Sequence, residues 1–149
     1  MSYTNFLYHI VFRTKHRVNA IVESHEKELY GYLYGILKDN GAFVYRIGGM
    51  PDHIHILTSI PPTIAVSELM RQLKQSSSVW LKNNPNFKQF TGWSEGYAAF
   101  SYALRDKEMI SRYIANQKSH HKVVSFEDEY RAFLIENGVD INEMYFLKD

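Results

Sequence analysis

Ala42-Phe43-Val44-Tyr45-Arg46-Ile47, then Gly48-Gly49-Met50-Pro51-Asp52, then His53-Ile54-His55-Ile56-Leu57-Thr58-Ser59-Ile60 is the stretch that decides the fold. Apolar, β-branched and aromatic residues dominate both arms, while Gly, Pro and Asp gather in the connection. The stretch predicts a hairpin, with strands over 42–47 and 53–60, closed by Pro61-Pro62. Upstream, Leu29, Leu33, Ile36 and Leu37 repeat at helical spacing within 24–39, and Asn40-Gly41 supplies a C-terminal stop. Before that helix, 4–12 reads as a strand, followed by the basic turn Arg13-Thr14-Lys15-His16-Arg17. Downstream, 64–83 reads as a second helix and 97–104 as a fourth strand. The order βαββαβ is the ferredoxin-like split βαβ arrangement of the α+β class, an antiparallel sheet with two helices on one face and the other face open. A third helix is predicted from Asp106 to about His121, and a short one over 125–137.

The 149 residues suit one domain of ordinary size. Net charge divides along the chain. Residues 1–122 carry 15 Lys/Arg against 9 Asp/Glu, a net of +6, and residues 123–149 carry 2 against 7, a net of −5. We therefore expect a basic domain over 1–122 that meets polyanions, with an acidic, helical C-terminal extension over 123–149 packed on it. An ordinary solvated surface explains the modest +6 about as well. The absence of cysteine excludes disulfides, thiolate zinc sites and cysteine nucleophiles, and suits a cytoplasmic protein. The N-terminus lacks a secretory pattern and no apolar run reaches the roughly 20 residues that span a bilayer, so no membrane partner is expected.

His53-Ile54-His55 is the first sign of chemistry. Alternation along a strand sends both imidazoles to one face, with Cα atoms roughly 6 to 7 Å apart, where one cation bridges them. A structural pair is an equally good reading of so short a pattern. Tyr113 and Gln117, four residues apart, share one face of the third helix. If that helix crosses the open sheet face, Gln117 offers an amide oxygen as third ligand and Tyr113 stands beside the metal. Alone, Tyr113 is one of 11 tyrosines, and packing is the commoner role of such a residue.

Met50-Pro51-Asp52-His53-Ile54-His55, Leu73-Lys74-Gln75-Ser76-Ser77-Ser78 and Tyr113-Ile114-Ala115-Asn116-Gln117 resemble the three blocks of single-tyrosine HUH transposases, small enzymes of bacterial insertion sequences (the IS200-like type). Val11-Phe12-Arg13-Thr14-Lys15-His16-Arg17 resembles that family's first strand and basic turn, so four blocks occur in order between about residues 3 and 121. The resemblance implies a homodimeric, metal-dependent DNA transposase that recognises hairpins at the ends of single-stranded DNA. It would cut and rejoin the strand through a 5′-phosphotyrosine, with Tyr113 as nucleophile, His53, His55 and Gln117 as metal ligands, and a catalytic helix near the open sheet face. Phe126 to Asp149 lies outside the shared blocks.

The residue types suit that chemistry. A phenol with pKa near 10 needs a cation, a base or in-line placement to attack phosphorus. Three neutral ligands leave the cation's full charge to the substrate. Mg²⁺ or Mn²⁺ fits a hard amide oxygen, and the imidazoles tilt the choice toward Mn²⁺. His120 and His121 invite a place as base or phosphate contact, against a simpler role at the helix end. Asp52 either fixes an imidazole tautomer or serves the turn. Arg13, Lys15, Arg17, Arg71 and Lys74 are candidate DNA contacts, which ordinary surface charge explains nearly as well.

Two other classes compete. One is a noncatalytic single-stranded nucleic-acid-binding module, since ferredoxin-like sheets often serve that role; a domesticated nicking enzyme with the same chemistry is a variant of the first reading. The other is an all-β oxygenase that also uses His-x-His, and the long helical segments argue against it.

Overall fold

The computed structural model describes residues 1–148. Strands β1 (Leu7–Arg13), β2 (Phe43–Met50), β3 (His53–Ser59) and β4 (Ala98–Tyr102) form one antiparallel sheet in the order β2-β3-β1-β4. Helix α1 (Glu26–Asp39) joins β1 to β2, and α2 (Val66–Lys82) lies between β3 and β4, giving the ferredoxin-like α+β fold that the sequence pattern implied.

Alternation on the two central strands builds the layers. Ile10 and Phe12 of β1, with Ile54 and Ile56 of β3, pack on Leu29, Leu33 and Leu37 of α1 and Leu69, Leu73 and Leu81 of α2. Each such burial is worth roughly 1.5–3 kcal/mol, so this layer holds the sheet to its helices. The α1 stop falls at Asn40, where Gly41 takes a left-handed φ of 79° and the Ala42 amide donates to Leu37 O at 3.0 Å.

The second sheet face is covered by α3 (Lys107–Ala115), α4 (Gln117–His120) and α5 (Phe126–Glu136). Ile110 and Ile114 pack on Leu7 and Leu57, while Phe126 packs on Val11 and Ala98 with Phe133 and Leu134 beside it. Consequently β3 is buried on both faces from His53 to Thr58.

Two departures from the sequence reading bear on the site. Strand β2 runs on to Met50, because Gly48, Gly49 and Met50 pair with His55, Ile54 and His53, leaving only Pro51 and Asp52 as the turn. The expected continuous third helix breaks at Asn116 (φ −96°, ψ 15°) into α3 and α4. That break re-aims the chain so that Lys118 Nζ donates to Gly49 O at 2.6 Å and to Glu26 Oε2 at 2.8 Å. Among the described residues, no helix is long and apolar enough to cross a membrane.

Candidate metal and nucleophile site

His53 and His55 project from β3 onto the face that carries α3, α4 and α5, with ring centroids 5.1 Å apart. Gly48 sits across from His55, and a Cβ there would stand 2.9 Å from both Cγ2 and O of Ile114, so a glycine is what lets α3 lie this close to the histidines. The approach delivers Gln117 Oε1 to 3.0 Å from His53 Nε2 and sets the Tyr113 ring 5.8 Å from that of His55. The four residues singled out in the sequence thus come together from three elements of the chain, β3, α3 and α4. His53, His55 and Gln117 are each at most 2% exposed.

A fifth residue stands at the centre. Glu129 of α5 has Oε1 3.4 Å from His53 Nε2, 3.3 Å from His55 Nε2 and 3.2 Å from His121 Nε2. Its Oε2 accepts hydrogen bonds from the Tyr113 hydroxyl and, at 2.8 Å, from Gln117 Nε2. Glu129 is not evident from the sequence, where the acidity of the tail reads as a bulk property. A local signal exists: Phe126, Glu129, Tyr130, Phe133 and Leu134 recur at the spacing of a buried helical stripe, with a carboxylate in one apolar position. Ser125 fixes the start of that helix, its Oγ accepting the Asp128 amide at 3.1 Å. His9 was also missed; its Nε2 lies 2.8 Å from His55 Nδ1.

Counting donors and acceptors shows what the site can hold. His53 Nδ1 faces Asp52 Oδ1 at 2.7 Å, so a neutral His53 donates there and turns its Nε2 lone pair toward Gln117 Oε1 and Glu129 Oε1. His121 repeats the pattern, with Nδ1 on Val124 O at 2.8 Å and Nε2 toward Glu129 Oε1. Lone pairs that meet only acceptors need protons or a cation between them. His120 Nε2, buried and 3.3 Å from Glu129 Oε2, has no hydrogen-bond partner among the described residues. An imidazole whose far nitrogen is held by a carboxylate or a carbonyl is also the usual dress of a metal ligand. The donor set therefore fits a divalent cation, and His53, His55 and Glu129 present one ligand atom each within 4.8 Å of one another.

Electrostatics agrees. Burial, with the neighbouring His55, lowers His9 to about 3. Burial also lowers His55 to about 4 against the opposing pull of Glu129, so the ring is neutral at neutral pH and keeps one nitrogen lone pair. Burial would lower His53 too, but hydrogen bonds to Asp52 and Glu129 outweigh it and raise the imidazole to about 9. A cation held at Nε2 would take the place of that second proton. Burial would raise the Glu129 carboxyl, yet the bonds from His53 and His55 hold it well below the usual range, as a carboxylate. Burial, reinforced by Glu129, pushes the Tyr113 phenol up. Beside Tyr113 a cavity of about 350 Å³, walled by Tyr102, Met109, Ile110 and Phe133, opens toward solvent.

The basic candidates lie elsewhere and differ among themselves. Lys15 and Arg17 are exposed in a 3-10 turn. Arg71 is exposed and paired with Glu68, its Nε 2.8 Å from Oε2. Arg13 is buried, with Nη2 3.3 Å from Lys148 O. Lys74 Nζ donates to Ser94 O at 2.7 Å and Gly96 O at 2.8 Å, so its charge pins a loop.

The fold is the ferredoxin-like one, and sequence comparison gives the family. The family model described as transposase IS200 like matches residues 2–117, and the chain belongs to that family of transposases. The chain is 28% identical over 115 residues to the ISDra2 transposase TnpA of Deinococcus radiodurans, covering 74% of this chain and 82% of that protein. It is also 28% identical over 124 residues to the transposase for insertion sequence element IS200 of Salmonella typhimurium, covering 80% and 81%. Among solved structures, a REP-associated tyrosine transposase bound to a REP hairpin superposes with a TM-score of 0.61 at 13% identity, over 100% of this chain and 95% of that one, a likeness of fold. The family match ends at Gln117, before α5 begins.

Proposed function

We propose that this transposase cleaves and rejoins single-stranded DNA at hairpin-marked element ends, with Tyr113 as nucleophile and His53, His55 and Gln117 as ligands of Mg²⁺ or Mn²⁺. The observation that carries the reading is the convergence of these four side chains, from β3, α3 and α4, on one buried point beside an open cavity.

In this reading the scissile phosphate enters through the cavity and the Tyr113 oxygen attacks phosphorus. The bond from phosphorus to the 3′-oxygen breaks, leaving a 5′-phosphotyrosine and a free 3′-hydroxyl. The phenol gives up one proton and the leaving oxygen gains one, so the step balances without a nucleotide cofactor. Attack by the same or another 3′-hydroxyl reverses it, which lets one residue both cut and join. A bound cation would polarise a non-bridging phosphate oxygen and offset the charge that develops there. Such help matters because a phenol with an ordinary pKa near 10, here pushed up further by burial and Glu129, is protonated at neutral pH. Glutamine oxygen and two imidazoles suit Mg²⁺ or Mn²⁺, with Mn²⁺ the better match.

The hairpin substrate is supported by the IS200-like membership and by the hairpin named for the REP-associated relative. Lys15, Arg17 and Arg71 are the exposed cations available to phosphates, whereas Arg13 and Lys74 would act by shaping the basic turn and its neighbouring loop. We assign the chemistry to residues 1–122 and treat 123–149 as an extension of the same domain, working on DNA in the cytoplasm. A homodimer belongs to the same reading, with sedimentation as its test.

Covalent trapping tests the whole. Wild-type protein with Mn²⁺ and single-stranded hairpin DNA should give a denaturation-resistant adduct, and Tyr113→Phe should give none. An adduct that persists in Tyr113→Phe removes Tyr113 as nucleophile. Tight hairpin binding with no adduct across a broad panel of hairpins supports the binding module instead.

A further inference from the structure

The IS200-like match ends at Gln117, yet the group at the centre of the site comes from residue 129. Glu129 Oε1 lies 3.2–3.4 Å from three imidazole nitrogens. Ligand atoms bound to one cation at roughly 2.0–2.3 Å sit about 3 Å from one another, so these are the separations of neighbouring corners of a coordination shell. The tautomers say the same. With Nδ1 donating to Asp52, His53 turns Nε2 toward Glu129 Oε1 and Gln117 Oε1, two acceptors that either a second proton or a cation must bridge. A cation held by Oε1 of Glu129, Oε1 of Gln117 and Nε2 of both histidines would satisfy all four at once. For His55 the arrangement requires Nδ1–H, and His9 Nε2 lies 2.8 Å away to accept it.

We propose that Glu129 is a ligand of the same cation as His53, His55 and Gln117, so that the C-terminal helix completes the metal centre. The inference rests on the metal reading given above and extends it to a residue outside the family match. Two consequences follow. The carboxylate lowers the net charge of the centre by one, giving a hard, oxygen-rich shell. Its second oxygen holds the Tyr113 hydroxyl and the Gln117 amide, so the nucleophile is tethered to a ligand rather than left to find the phosphate by itself. Phe126 on Val11 and Ala98, and Phe133 on the ring of His9 at 4.8 Å, hold α5 where the carboxylate must be.

The test is Mn²⁺ titration of the full chain, followed by the loss of the free-ion paramagnetic resonance signal, for wild type, Glu129→Gln, Glu129→Asp and His55→Ala. Hydrogen exchange of 126–136 is measured with and without Mn²⁺. Glu129→Gln should weaken Mn²⁺ binding by about tenfold or more, and Glu129→Asp by less. Exchange in the tail helix should slow on adding Mn²⁺ to wild type and not to Glu129→Gln. Should Glu129→Gln fail to fold, the wild-type exchange result and the Glu129→Asp affinity carry the decision. Mn²⁺ binding to Glu129→Gln that equals or exceeds wild type overturns the proposal, for the carboxylate is then a counter-ion that metal displaces. His55→Ala separates the two levels: if it too binds Mn²⁺ as wild type does, or if wild type binds none, the underlying metal reading fails with it.

Discussion

Gly48 lies directly beneath Ile114: a Cβ at Gly48 would stand 2.9 Å from the Ile114 carbonyl oxygen and 2.9 Å from its Cγ2. Gly48 is also the β2 partner of His55, and Ile114 follows Tyr113, so this single contact sets the height of the tyrosine above the histidines. Gly48→Ala must push α3 off the sheet. Overpacking of this kind costs about 1–3 kcal/mol, and a misplacement near 1 Å costs on the order of a hundredfold in a reaction that depends on alignment. We expect a modest loss of thermal stability, near-normal hairpin binding and adduct formation reduced at least tenfold. An adduct formed at the wild-type rate would show that this contact does not position Tyr113.

The pairing across β2 and β3 also explains what could be read from the chain and what could not. Strand order was legible because two-residue alternation and the Gly-Gly-Met-Pro-Asp stretch are local. The hairpin's exact turn was not, since Gly48 and Gly49 read as turn residues but serve as strand residues under a closely packed helix. His53, His55, Tyr113 and Gln117 were legible as a set because each pair sits within one short segment. Glu129 was hidden for the opposite reason: its partners at His53 and His55 are more than 70 residues away, and a single carboxylate in an acidic tail looks solvated unless its place on the apolar stripe of α5 is noticed. The break at Asn116 was likewise invisible, because nothing in 106–121 is a strong helix breaker and the contacts of Lys118 with Gly49 and Glu26 that accompany it are long-range.

Lys118 is the pin of α4, and its removal should be felt at the next residue, Gln117. Lys118→Met keeps the aliphatic stem but takes the donor from Gly49 O and the counter-charge from Glu26, which also accepts the Tyr30 hydroxyl at 3.2 Å. The loss should be about 1–2 kcal/mol, lowering Tm by roughly 3–6 °C. Because Gln117 then loses its anchor, Mn²⁺ affinity should fall as well. Unchanged melting and unchanged Mn²⁺ affinity in Lys118→Met would mean that α4 is held by its packing alone.

Ser125 starts the helix that carries Glu129. Ser125→Ala removes the acceptor for the Asp128 amide, at a cost of about 1 kcal/mol that falls mainly on α5. Hydrogen exchange should therefore quicken over 126–136 while the α1 and α2 amides keep their protection. A uniform change across the whole chain would show instead that the tail and the sheet unfold as one unit.

Acid should destabilise the metal-free protein through the two imidazoles that burial depresses, His9 and His55. His9 and His55 have folded-state values depressed to about 3 and about 4, against 6.5 unfolded. For a base whose folded value is depressed, the unfolded chain binds the proton first, so stability is complete above pH 6.5 and is lost as pH falls toward the folded values. Glu129 adds to the same acid limb, since its depressed carboxyl yields stability that disappears as pH falls below the ordinary carboxyl range. His53 works the other way, its folded value of about 9 giving stability below pH 6.5 that is lost as pH rises through 9. Each unit of pH below 6.5 should therefore cost roughly 1.4 kcal/mol per depressed histidine until its folded value is reached. Urea unfolding in EDTA at pH 7, 6 and 5 measures this directly, and His9→Gln should flatten the slope by about one histidine's share. A midpoint that does not move between pH 7 and pH 5 would mean that His9 and His55 take up protons in the folded state as readily as in the unfolded one.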